Sequence, residues 1–342
     1  MHSWTERFQE IPLAELHLHA EGSISPQTAC ELAARQGMKL SPAEVSARYA
    51  YTDFGGFLDA FKWVTSLLRA PEDYALVVRR LCESLRAQNV PYAEITVSAG
   101  VMLLRGQDVE ANFAAMRAAA TAQTLPRVQW IFDAVRQFGA AAAMEAARAA
   151  ARLRNAGVVA FGLGGDELAA PAAEFREVYE FAAASGLHRV AHAGEIGDAA
   201  QVREAIEQLG AERIGHGIAA WRDPALMELL RERNIPLEVC LTSNLRTGAL
   251  KRQTGRVAAG MEDHPLPILW RSGAPITLST DDPAMFGAKL REEYENARRM
   301  GIPASGLLQV ARASFQHAFL AAPEKEKLLG AFDDEARRLG LV

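Results

Sequence analysis

LAELHLH, residues 13–19, sets Glu15, His17 and His19 in alternation with Leu16 and Leu18. Period-two alternation is the mark of a β-strand with two different faces. Seven further runs of strand-like composition follow: YAEITVS (92–98), VQWIFDAV (128–135), VVAFGLG (158–164), HRVAHAG (188–194), RIGHG (213–217), PLEVCLTS (236–243) and PITLSTD (275–281). From the third onward most are followed by helix-like sequence before the next strand. Such alternation implies a parallel sheet, and eight units of this size predict an α/β fold, a closed (β/α)8 TIM barrel. A doubly wound open sheet would usually carry a Gly-rich phosphate loop after its first strand, whereas strand 1 here ends in histidines. The stretch from Ile24 to Pro91 is too long for one crossover helix, so extra helices inserted after strand 1, over about 24–90, are predicted to form a lid. No Pro/Gly/Ser-rich linker divides the chain, and the reading is a single barrel domain over 1–342. Alanine-rich segments such as 138–154 carry spaced arginines and glutamates and read as amphipathic helices.

Composition narrows the function classes. Hydrophobic residues make up 49% and charged residues 23%, and the net charge is −5, values of a soluble globular protein without a surface for nucleic acid or anionic membrane. Cys30, Cys82 and Cys240 have no CxxC spacing and cannot all pair, which predicts a reduced, cytoplasmic setting. The N-terminal segment has no basic stretch followed by an apolar core, so no signal peptide is expected. No apolar run reaches the ~20 residues of a membrane span.

The strand ends carry the chemistry. Period two points His17 and His19 to the same face of strand 1, so two imidazoles can reach one metal ion. His192 closes strand 5 with Glu195 three residues on, His216 lies in strand 6, and Asp281 and Asp282 end strand 8. Each has a plain structural reading: Asp-Asp-Pro as a turn or helix N-cap, His216 as a satisfied core histidine, Glu195 as a solvated loop carboxylate. All of these would have to hold together. In barrels the active site lies at the C-terminal strand ends, where all seven fall, and three histidines with a carboxylate around an open position suit zinc.

The strings ELHLHAEGS, HAGE, RIGHG, LEVCLTSN and STDDP, in this order and spacing, resemble the motifs of the adenosine deaminase family, the purine-deaminase branch of the amidohydrolase barrels. The resemblance runs from about residue 11 to about 300. It implies hydrolytic deamination of a 6-aminopurine to the 6-oxopurine and ammonia. His17, His19, His192 and Asp281 would hold one zinc ion, another divalent transition metal being an alternative. Glu195 would protonate N1 as water adds at C6, His216 would orient and deprotonate the attacking water, Asp282 would bond N7, and the Gly165 backbone N–H would reach N3. Strand 4, VVAFGLGGDE, has no lysine to bridge two metals, so a mononuclear site is expected.

Two departures fall at the sugar end. Family members acting on adenosine usually carry Asp two residues after the second histidine, against the ribose 5′-hydroxyl, where this chain has Glu21, taken as a substrate-binding position together with His19. They usually read DLAG where this chain reads Gly162-Leu163-Gly164-Gly165. The GLGGDE and DFGGFLDAFKWVTSLL segments look more like bacterial enzymes acting on 6-amino-6-deoxyfutalosine, a 5′-extended adenine nucleoside of menaquinone biosynthesis. HxEGS also resembles adenine deaminases, so deamination of the free base is the alternative. A non-catalytic barrel that binds purine nucleosides is the alternative of another class. Phe54, Phe57, Phe61, Trp63 and Leu67 form a stripe that reads as core packing or as a hydrophobic lid, and Arg136 as a solvated loop arginine or a clamp for a substrate carboxylate. The expected partner is a small purine nucleoside, with no nucleic acid and no membrane.

Overall fold

A computed structural model describes residues 4–342. Eight parallel strands pair in chain order: β1 (Ala14–His19), β2 (Tyr92–Val97), β3 (Arg127–Val135), β4 (Val158–Gly164), β5 (His188–Ala193), β6 (Arg213–His216), β7 (Leu237–Val239) and β8 (Ile276–Leu278). A bridge between Leu18 and Asp281 brings the last strand back against the first, reinforced where His19 N–H donates to Asp281 O at 2.8 Å and Asp281 N–H to His17 O at 3.1 Å. Helices between the strands complete the (β/α)8 TIM barrel.

The predicted strands are all present, but β7 and β8 end earlier than their composition suggested. Residues Leu241–Arg246 form a helix. Its first residues read as strand because they continue the β-branched run of β7, yet Leu241, Ser243 and Asn244 lie buried in a helical turn rather than paired in the sheet.

Helix α1 (Trp4–Phe8) precedes the barrel. Between β1 and β2 lie α2 (Pro26–Arg35), α3 (Pro42–Arg48), α4 (Phe54–Thr65) and α5 (Pro71–Ala87). The starts of α2, α3 and α4 follow from local chemistry: Ser25, Ser41 and Asp53 accept from the backbone N–H three residues on, and proline opens α2, α3 and α5. After β2 comes α6 (Ala99–Leu104), which carries Arg105 at its end. The Arg105 guanidinium donates to the carbonyls of Lys62 and Thr65, which ties the end of α6 to the last turn of α4. The alanine-rich helix Gly139–Arg152 buries Ala143, Ala146, Ala147, Ala149 and Ala150 against the barrel. Small side chains there let helix and sheet approach closely.

The lower barrel is filled by charge as well as by apolar side chains. Arg213 on β6 is buried, with Glu94 Oε2 of β2 at 2.5 Å and Glu238 Oε1 of β7 at 2.6 Å. The Phe319 ring covers its guanidinium at 3.8 Å. Buried charges are tolerated when paired this closely. Cys30, Cys82 and Cys240 are unpaired. Among the described residues no helix is long and apolar enough to cross a membrane.

Candidate active site

At the C-terminal mouth of the barrel, His17, His19, His192 and Asp281 each direct one ligand atom to a common point, these atoms lying within 4.8 Å of one another. Strand β1 supplies two imidazoles from one face because His17 and His19 are two residues apart. Glu238 Oε2 accepts from His17 Nδ1–H at 2.9 Å, which leaves Nε2 as the ring's ligating atom; without an ion, and against the lowering by burial, Asp281 and Glu238 raise this imidazole to about 10. His17 Nε2 is buried and has no hydrogen-bond partner. Burial drives His192 well below the ordinary imidazole range and holds His19 down to about 4, so both are neutral donors. Three buried imidazoles and one carboxylate, with His17 Nε2 left without a hydrogen-bond partner, form the ligand set that a divalent transition metal requires.

Asp281 and His216 have positive φ, 64° and 60°. A non-glycine residue there costs on the order of 1–3 kcal/mol, and such strain collects at functional sites. The strained turns aim Asp281 and His216 inward: His216 Nε2 lies 3.7 Å from Glu195 Oε2 and 3.8 Å from Asp281 Oδ2. Ser243 Oγ donates to Asp281 Oδ2 at 2.7 Å. Burial, then the nearby Asp281 and Glu167, push the Glu195 carboxyl well above the usual range. Burial beside Asp281 does the same to Asp282, whose Oδ1 is buried without a partner. Gly22 explains the fit of Asp282, since a Cβ at position 22 would lie 1.7 Å from Asp282 Oδ1.

These groups open on one cavity of about 450 Å³, walled by His19, Gly165, His192, Glu195, His216, Asp281 and Asp282 and by aromatic rings. The adenosine deaminase family model matches residues 12–335. The chain belongs to the adenosine deaminase family. Members of that family are hydrolases acting on carbon–nitrogen bonds, and this deaminase is one. It is 39% identical over 332 residues to an aminodeoxyfutalosine deaminase of Streptomyces coelicolor, covering 94% of this chain and 84% of the relative. It is 35% identical over 336 residues to an adenine deaminase of the same organism, covering 96% of both. Among solved structures it resembles an adenine deaminase of Arthrobacter aurescens, with TM-score 0.86, 28% identity and coverage of 96% and 99%. A Burkhoderia ambifaria amidohydrolase solved with bound Zn has TM-score 0.86 and 25% identity, with coverage of 100% and 96%.

Other positions in this deaminase differ from their sequence reading. Glu21 does not line the cavity; its longer side chain turns back, and its Oε1 accepts from Ser98 N–H at 3.0 Å. Arg136 is neither solvated nor aimed at substrate. It is buried, donating to Ala170 O at 3.1 Å and His192 O at 3.3 Å. The aromatic stripe divides: Phe54, Phe57 and Phe61 face the cavity, while Trp63 stacks under Arg48 and Leu67 joins the core. The GLGG segment makes room for Asp133 of β3, since a Cβ at Gly162 or Gly164 would lie 2.5 or 2.4 Å from its carboxylate. Asp133 lines the cavity, and burial pushes it up to about 8. Glu167 holds the HAGE turn, accepting from Gly194, Glu195 and Gly197 N–H at 3.0, 2.9 and 2.7 Å. Asp133, Glu167 and Glu238 carry no spacing signal in the chain, because their partners lie on other strands.

Proposed function

We propose that this deaminase converts a 6-aminopurine nucleoside extended at its 5′ position, of the 6-amino-6-deoxyfutalosine type, to the 6-oxopurine and ammonia. The observation that carries this reading is the meeting of a buried carboxylic acid, Glu195, with a three-histidine and aspartate ligand set in one apolar-walled cavity. His17, His19, His192 and Asp281 would hold one zinc ion, which when bound lowers the pKa of a ligated water toward ~7. Adding oxygen to C6 destroys aromaticity, so N1 must gain a proton as the new bond forms. Glu195, protonated through burial, gives that proton. Asp282, also neutral, donates to the N7 lone pair, and the Gly165 N–H donates to N3. His216 holds the incoming oxygen; one of that oxygen's protons returns to Glu195 in place of the one given to N1, the other passes to the amino group, and ammonia leaves from the tetrahedral carbon as C6 becomes a carbonyl.

The preference for an extended nucleoside is supported by the wall formed by Phe54, Phe57, Phe61 and Phe138. These rings give the cavity the size of pockets that enclose drug-sized ligands, well beyond a free base. With α4 above them they form a lid that excludes water. The turning away of Glu21 removes a charged group from the place where a 5′-hydroxyl would sit, which suits a carbon chain there.

The test is kcat/KM for the 5′-extended nucleoside, adenosine and free adenine, followed by loss of the 6-aminopurine absorbance on protein of verified metal content. We expect the extended nucleoside to reach roughly 10⁵ M⁻¹s⁻¹ or more and to exceed adenosine and adenine at least tenfold. Equal or faster turnover of adenine would assign the free base instead, and binding of purines without turnover of any would make the protein a non-catalytic barrel.

A further inference from the structure

Behind His216 a chain of three hydrogen bonds runs away from the cavity. It begins at a backbone amide, which has only one possible polarity. Leu266 N–H donates to His264 Nδ1 at 3.0 Å. His264 is buried, and with Nδ1 accepting, its ring is neutral and must carry its proton on Nε2. That Nε2 lies 3.2 Å from Asn244 Oδ1, so it donates, and the carboxamide of Asn244 is held with its oxygen toward His264. The amide nitrogen then faces His216: Asn244 Nδ2 lies 3.1 Å from His216 Nδ1. An amide nitrogen only donates, so His216 Nδ1 accepts. With Nδ1 accepting, the buried ring is neutral and keeps its proton on Nε2.

We infer that Asn244 and His264 are positioning residues that lock His216 as the Nε2–H tautomer, so that it meets the reacting oxygen as a hydrogen-bond donor. The inference rests on the place given to His216 in the proposed reaction. A second contact agrees with it. His216 Nε2 faces the Asp281 carboxylate, with Oδ2 at 3.8 Å, an oxygen that suits an N–H better than a lone pair. The tautomer of a histidine is set by the bond that its other nitrogen makes. With Nε2 already protonated, His216 orients and stabilises an oxygen nucleophile but cannot take a proton from it at that atom, and that proton goes to Glu195, left as a carboxylate once its own has passed to N1. Asn244 and His264 neither line the cavity nor belong to the ligand set, so their effect on turnover passes through His216.

The experiment reads the tautomer directly. Protein labelled with ¹⁵N at its eight histidines and loaded with metal gives two-bond ¹H–¹⁵N correlations, and His216 is assigned by its disappearance in His216→Gln. The wild type should show His216 protonated at Nε2 only. Asn244→Asp replaces the amide donor by a carboxylate oxygen that must accept, so His216 should become protonated at Nδ1. kcat should then fall about 10²–10⁴-fold with metal content retained, a range suggested by the loss when a catalytic histidine is held in the wrong tautomer. His264→Gln keeps an N–H at the Nε2 position and should retain the wild-type His216 pattern, whereas His264→Phe should give a mixture. A wild-type His216 protonated at Nδ1 overturns the inference without any variant having to fold, and so does Asn244→Asp with an unchanged tautomer. The spectrum needs no substrate. Absence of purine turnover beside an Nε2–H His216 would therefore remove the proposed reaction and leave the relay standing.

Discussion

Glu195 and the glycines of β4 show how much single side chains decide here. Replacing the Glu195 acid by an amide of the same shape removes the transferable proton and leaves the ligand set intact. Glu195→Gln should therefore lower kcat by about 10²–10⁴-fold with metal stoichiometry unchanged; a variant within threefold of wild type would mean that another group protonates the ring. At Gly164 a methyl group would meet Asp133 Oδ2 at 2.4 Å and His192 Cε1 at 3.4 Å. Gly164→Ala should force the Asp133 carboxylate from its place and lower kcat/KM, while His192, in ordinary contact, should leave metal content after dialysis at the wild-type level. The inward groups His17, His19, His192, His216, Asp281 and Asp282 were legible in the chain because polar residues are conspicuous at the ends of apolar strands. Asn244 and His264 were not. Asn244 sits in a segment that reads as strand, and His264 has meaning only through a contact made 20 positions away.

Elements are held to each other by buried polar bonds whose charge state depends on pH. Glu293, on the helix Leu290–Arg299, accepts from Thr242 N–H at 3.2 Å and from its hydroxyl, joining that helix to Leu241–Arg246. Burial pushes its carboxyl from the usual 4.5 to about 7. The folded chain therefore holds this proton more tightly than the unfolded chain. The resulting stability is fully present below the unfolded value and is lost as pH rises through about 7. Glu293→Gln, always neutral, should gain on wild type by up to about 3 kcal/mol between about pH 5 and about pH 8. Urea unfolding of both proteins across that range checks this, and parallel curves would show that Glu293 does not titrate as its burial requires. The helices after β1 were legible from the length of the gap and from the capping residues. The split of the aromatic stripe was not, because α4 turns Phe54, Phe57 and Phe61 to the cavity while Trp63 finds Arg48 on another helix.

At the scale of the whole molecule the ligand set belongs to three distant strands, so occupying it ties β1, β5 and the end of β8 together. Metal that binds only the folded chain at a hundred times its Kd adds about 2.7 kcal/mol. Chelation should accordingly lower the thermal midpoint by several degrees, and restoring zinc should recover it. An unchanged midpoint after verified metal removal would show that the closed barrel gains nothing from a bound ion. The closure has a consequence in time as well. His17 N–H is tied to Ser279 Oγ across 262 positions, and Asp281 lies beyond that serine. A growing chain carries His17 and His19 for most of its synthesis with no eighth strand to meet them, on the order of tens of seconds at ~5–20 residues per second. Until Asp281 leaves the ribosome the metal-binding set is incomplete, and a product cut short before that residue lacks it altogether. Completion of the ligand set therefore waits on translation of the last strand, so the seam between β8 and β1 registers that the whole barrel has been made.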